Sequence, residues 1–113
     1  MTYGQIETKA RTLVNDTQTP YRFDTATVND FAVAAVRHLR NVNPAEKYGP
    51  TGLLDETIPE GGADDDDIRI DPRHEEAVVL YVAHMLYRLD VTDTVNLQTS
   101  ETFRTRAEAL MQL

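Results

Sequence analysis

The sequence contains no cysteine. Disulfides, thiol nucleophiles and thiolate metal sites are thereby excluded, and the chain suits a reducing compartment. Long apolar runs are also missing. The longest, Ala77 to Ala83, falls far short of the ~20 residues a membrane span needs. The opening Met-Thr-Tyr-Gly-Gln has neither the basic nor the apolar region of an export leader, so none is expected. Lysine is scarce. Lys9 and Lys47 are the only two, and neither stands beside a glycine-rich turn that would set it on a phosphate. Gly4, Gly49, Gly52, Gly61 and Gly62 form neither a phosphate loop nor a dinucleotide fingerprint. Ser100 is the lone serine, without a glycine elbow, and reads as a helix cap or first-turn residue.

What is present is a chain of 113 residues and 12.8 kDa. That length supports one domain, residues 1–113, able to bury about 65% of its unfolded surface. Hydrophobic residues at 41% and charged residues at 27% lie near the globular average, which argues against global disorder. The net charge of −8 is concentrated in residues 55–76, and the remainder of the chain is neutral. A neutral body with one acidic appendage has no basic face for phosphates, so neither specific nucleic-acid binding nor adhesion to anionic lipid is expected.

Hydrophobic periodicity predicts an all-α, four-helix domain. The first helix covers about Tyr3 to Asn15, with capping-box spacing at Thr2 and Gln5 and a stripe of Ile6, Ala10, Leu13 and Val14. A polar loop leads to Asp24, which caps a second helix striped by Val28, Phe31, Ala32, Ala35, Val36 and Leu39 and stopped at Asn43-Pro44. The third starts at Asp71-Pro72 and runs to about Asp90. Val78, Val82, Met85, Leu86 and Leu89 share one of its faces, and Leu80, Ala83 and Tyr87 the opposite one. Only Arg73, His84 and Arg88 make a polar stripe. A helix apolar on two sides is central in its domain or packed between subunits, which makes Leu80, Ala83 and Tyr87 a candidate intersubunit face. The fourth helix begins between Thr94 and Ser100 and is striped by Phe103, Ala107, Leu110 and Met111, with Leu97 or Leu113 as extensions.

Between helices two and three lies an insertion, about residues 43–70, expected as a long loop or a β-hairpin. Leu53 to Ile58 runs out, Pro59 to Ala63 turns, and Ile68-Arg69-Ile70 returns. A lone hairpin is marginal in water and needs a partner surface. Glu60, Asp64, Asp65, Asp66 and Asp67 make it acidic, a candidate element for partner docking or channel lining. Calcium is not expected there. An EF-hand register from Asp64 puts Asp66 at position 3 and Glu75 at position 12, yet Ile68 and Arg69 at 5 and 6. Four aspartates are also too few to imitate the charge spacing of a duplex. The three histidines, His38, His74 and His84, make no HExxH pattern. His74 is expected to be solvated, and His84 to be a structural histidine bonded to a neighbouring element. No cofactor, metal or catalytic constellation is indicated.

The linear order of features resembles the tailed-bacteriophage head–tail adaptor or head-completion connector family. Leu13-Val14-Asn15-Asp16, then Tyr21-Arg22-Phe23-Asp24 leading into Val28-Asn29-Asp30-Phe31, look like that family's opening. So do the stop at Asn43-Pro44, the insertion, and Glu76 to Val82 running into Met85-Leu86-Tyr87-Arg88-Leu89-Asp90. The resemblance implies a virion protein at the head–tail interface, present in host cytoplasm during assembly. It implies a non-enzymatic ring, dodecameric, of self-associated subunits between the portal protein and a tail or nozzle component. DNA would pass through its lumen without specific binding, and no membrane is involved. The alternative is a small acidic helical regulatory or inhibitor module that binds a protein partner.

Overall fold

In the computed structural model, residues 1–48, 68, 70–89 and 94–113 are described, with α4 side chains from Leu97 onward. Four α-helices occur among them and no strand: α1 Tyr3–Leu13, α2 Thr25–Val42, α3 Glu75–Leu89 and α4 Thr94–Met111. Two 3-10 turns, Pro44–Lys47 and Pro72–His74, follow α2 and precede α3. The all-α expectation holds. Most of the expected hairpin and the acidic residues Glu60 and Asp64 to Asp67 lie outside the described residues; Ile68 and Ile70 of its return run are described and form no strand. No described helix is long and apolar enough to cross a membrane.

Local chemistry accounts for the boundaries. The Thr2 hydroxyl accepts the Gln5 N–H at 3.2 Å while the Gln5 side chain accepts the Thr2 N–H at 2.9 Å, completing the capping box of α1. That helix ends two residues earlier than its pattern suggests, because Asn15 takes a left-handed φ of 56°. The Asp16 N–H then reaches the Arg11 carbonyl at 2.8 Å and the Asn15 N–H the Thr12 carbonyl at 3.3 Å, a Schellman closure. Asp24 caps α2 by accepting the Thr27 N–H at 2.7 Å. Asp71 accepts the Arg73 N–H at 3.1 Å, but the turn it starts is 3-10, and α3 proper begins at Glu75.

The third helix is central. It packs against α1, α2 and α4, and its Ala77, Val78, Val82, Ala83 and Leu86 are buried. With Tyr3, Ile6 and Ala10 of α1, Val28, Ala32, Val36 and Leu39 of α2, and Met111 of α4 they form one core cluster. Each fully buried valine or leucine contributes about 1.5–3 kcal/mol. Leu97 and Leu113 stay exposed and do not extend the α4 stripe. The ends of the central insertion belong to the body of the domain instead of projecting from it. Glu46 is buried in the turn after α2, and Ile68 lies in the core with its N–H on the Met1 carbonyl at 2.8 Å.

Candidate functional site

Helices α1 and α4 both lie on α3, but among the described residues their backbones do not approach each other. The bundle is therefore open along one seam, and a groove of about 550 Å³ occupies it. Val79 and Leu80 of α3 line its depth, Thr8, Lys9, Thr12 and Leu13 come from α1, and Phe103 and Arg106 from α4. Near Leu13, the Tyr87 hydroxyl donates to the Leu13 carbonyl at 3.3 Å and the Tyr87 ring meets Phe103 at 5.7 Å. Toward the other end the groove is lined by Met1, Pro72, Glu75 and Glu76. An exposed ion pair, Arg106 to Glu76 at 2.8 Å, joins α4 to the start of α3.

The seam corrects the expectation for the second apolar face of α3. Ala83 is 0% exposed and Leu80 3%, so both are covered by the chain's own helices. Ala83 has no area left for a neighbour. Leu80 is reachable only as groove floor, and Tyr87 is half-buried at the groove's end. The accessible apolar residue is one assigned to the core from its spacing: Leu13, 38% exposed.

Three buried polar clusters brace this frame. The first is local. The Asp16 carboxylate accepts from the Arg22 and Phe23 N–H groups at 2.8 and 3.2 Å and from Arg11 Nη1 at 2.7 Å. The Arg22 guanidinium donates back to the Val14 carbonyl at 2.7 Å, and Arg11 lies 3.9 Å from the Tyr21 ring centroid. Burial pushes the Asp16 carboxyl up, but the two N–H groups and the Arg11 and Arg22 charges outweigh it and hold it below its ordinary value.

The second cluster overturns the solvated reading of His74, which is 0% exposed. Its Nδ1 pairs with the Glu46 carboxylate, which also accepts the Asp71 N–H at 3.2 Å. The Asn43 side-chain amide donates to the Met111 carbonyl at 3.1 Å and lies 3.5 Å from His74 Nε2. These contacts tie the end of α2, the two 3-10 turns and the end of α4 together. Nothing in the local sequence signals them, because partners such as Glu46 and His74 are 28 residues apart.

The third cluster joins α3 to α4. His84 is 3% exposed, away from the polar stripe its spacing suggests but bonded across to another helix as expected. The Ser100 hydroxyl donates to the His84 carbonyl at 2.9 Å, so it must accept from His84 Nδ1 at 2.7 Å, which fixes the proton on Nδ1. Burial pushes the imidazole below its ordinary value. Ser100 is not a cap: it sits in the second turn of α4, where its small side chain lets the helices meet.

Among the described residues no group of three or more histidine, aspartate or glutamate side chains is arranged to hold a metal ion. Comparison with protein-family models, curated proteins and solved structures finds no match.

Proposed function

We propose that the chain is a structural subunit of a head–tail connector, a ring component between portal and tail through which DNA passes. The observation that carries this reading is the way the resemblance-bearing segments are used. Leu13-Val14-Asn15-Asp16 and Tyr21-Arg22-Phe23-Asp24 are not independent markers. The Asp16 carboxylate, the Arg22 guanidinium and the Asp24 cap join them into one brace that sets α1 against α2. Two further features support a role in assembly. The buried Asp16, Glu46, His74 and His84 side chains all hold helices or turns together. The open seam over α3 also offers an apolar recess with charged rims, a form suited to protein contact.

The test is imaging by negative-stain microscopy of the purified chain mixed with its candidate portal. A ring stacked coaxially on the portal is the expected result. A one-to-one complex with a host protein and no ring would favour the acidic regulatory module instead. The acidic insertion has its own expectation within this reading. Replacing Asp64 to Asp67 by asparagine weakens ring attachment and flattens its salt dependence if those residues dock on a partner, since exposed ion pairs are screened over about 8–10 Å. If they line the channel, attachment is unchanged and DNA ejection slows.

A further inference from the structure

We propose that the groove between α1 and α4 is a self-association site, in which α1 of a second copy lies antiparallel across the seam and the two copies fill each other's grooves. The occupant is argued from the surface of α1 and from the rim charges. Thr8 and Thr12 both turn their hydroxyls onto their own helix, donating to the Gly4 and Thr8 carbonyls at 2.9 Å each. Their methyl groups are left as the outward chemistry. With Gly4 they make a shallow ridge at four-residue spacing, the kind that packs into a neighbouring helix groove. Leu13, at 38% exposure, is a large apolar side chain beside that ridge.

The charges match the same arrangement. Lys9 on the α1 wall and Glu75 at the start of α3 enter no ion pair or hydrogen bond among the described residues. Arg106 and Glu76 are already paired with each other. Among the described residues the rim thus keeps Lys9 as an unpaired cation and Glu75 as an unpaired anion, which is self-complementary and favours a second copy over a partner of one sign. A two-fold contact places residue i on j and j on i, so each Lys9 meets the other copy's Glu75.

The direction of packing agrees with this pairing. Met1 and Pro72 share one end of the groove, while Leu13 and Tyr87 meet at the other, so α1 and α3 run parallel. An antiparallel second α1 carries its Leu13 to the Met1–Pro72 end and sets Lys9 at the level of the first α3 turn. The molecule measures 44 by 28 Å across its two longer axes, enough surface for the ~800 Å² per partner of a standard interface. Such a pair closes on itself and is not the ring contact, so a dimer withdraws the seam from the support for the connector reading, while a failure to dimerise leaves the portal test of that reading untouched.

Sedimentation velocity on the 113-residue chain alone, across a micromolar to near-millimolar range, tests it without any portal. A reversible dimer is expected. Lys9→Glu and Glu75→Lys should each weaken it by roughly tenfold or more, because every reversal acts twice across the two-fold axis. The double variant K9E/E75K should restore the wild-type dissociation constant to within about threefold, the usual behaviour of a reciprocal pair. Circular dichroism of each variant establishes that the fold is retained. A chain that stays monomeric throughout overturns the proposal. So does a series of higher oligomers, a dimer indifferent to Lys9→Glu, or a swap that fails to restore association.

Discussion

Two carboxylates, Asp16 and Glu46, are each buried, and each organises the start of a helix, yet they work over very different spans of chain. Asp16 gathers Arg11, Arg22 and Phe23, all within seven residues of itself. Glu46 holds Asp71 and His74, which are 25 and 28 residues away. The first is a turn that forms wherever its own short sequence goes. The second exists only once α2, α3 and α4 have packed, and it closes the base of the central segment against the core. The comparison separates what the chain fixes locally from what the fold imposes.

The largest effect should come from breaking the long-range cluster. Glu46→Ala leaves the fully buried His74 without its acceptor in a site that water does not reach, and also frees the Asp71 N–H. Removing one partner of a buried, hydrogen-bonded pair costs about 3–5 kcal/mol, so a drop near 3 is expected in urea unfolding. A loss below about 1 kcal/mol would show that the cluster is not needed to hold the two turns, and the contrast would collapse.

Asp16→Ala should cost somewhat less, about 2–3 kcal/mol: Arg22 and Phe23 lie near solvent and their freed N–H groups can find water, and the buried Arg11 it strands keeps Glu7 at 3.7 Å. It also carries a pH signature. The folded carboxyl is held below the unfolded value of 3.8. Its contribution is therefore complete above that value and is lost as pH falls through the folded one. Wild-type stability should fall in that acid range more steeply than that of Asp16→Ala. Equal slopes would mean the carboxylate is not stabilised by its cradle.

This division also explains what could be read from the sequence. The capping box at Thr2 and Gln5, the Asp24 cap, the central two-sided α3 and its core valines were all legible, because each depends on spacing within one helix. Its spacing reads His74 as solvated, since a histidine in a polar run gives no sign that Glu46 and Asn43 will close over it. Spacing puts Leu13 on the core stripe, but the stripe turns through Tyr3, Ile6, Ala10 and Val14 and leaves it on the groove wall. Leu80 and Ala83 looked like surplus surface because a helical wheel cannot show that α1 and α4 flank the same side of α3. The open seam was illegible for the same reason: it is a missing contact between two helices, a property of the assembled bundle.

A smaller effect should appear at the α3–α4 contact, where both kinds of bond occur at once. Ser100→Ala removes the hydroxyl that links the His84 carbonyl and Nδ1, and should cost about 1 kcal/mol. The imidazole itself titrates below its ordinary 6.5. The unfolded chain then binds the proton more readily than the folded one, so stability declines as pH drops below 6.5 and levels off beneath the folded value. His84→Gln should flatten that decline, read from thermal midpoints between pH 7 and 5. An unchanged slope would place the titrating group elsewhere.

The smallest expected change tests whether the Asp16 brace is as local as it looks. Asn15 sits at φ 56°, a conformation glycine adopts without the steric cost that other residues bear, and asparagine is among the few that tolerate it. Asn15→Gly should hold or raise stability by a few tenths of a kcal/mol, and Asn15→Ala should lower it by about 1. The alanine variant carries further information. If the left-handed residue is what turns Asp16 inward, its strain should also loosen the carboxylate's hold on Arg22 and Phe23. The acid-range slope assigned to Asp16 should then shrink in Asn15→Ala and persist in Asn15→Gly. An alanine variant that loses stability but keeps the full slope would show that Arg11 and Arg22 position Asp16 without the Schellman turn. The brace would then depend on side chains more than on the backbone geometry encoded at Asn15.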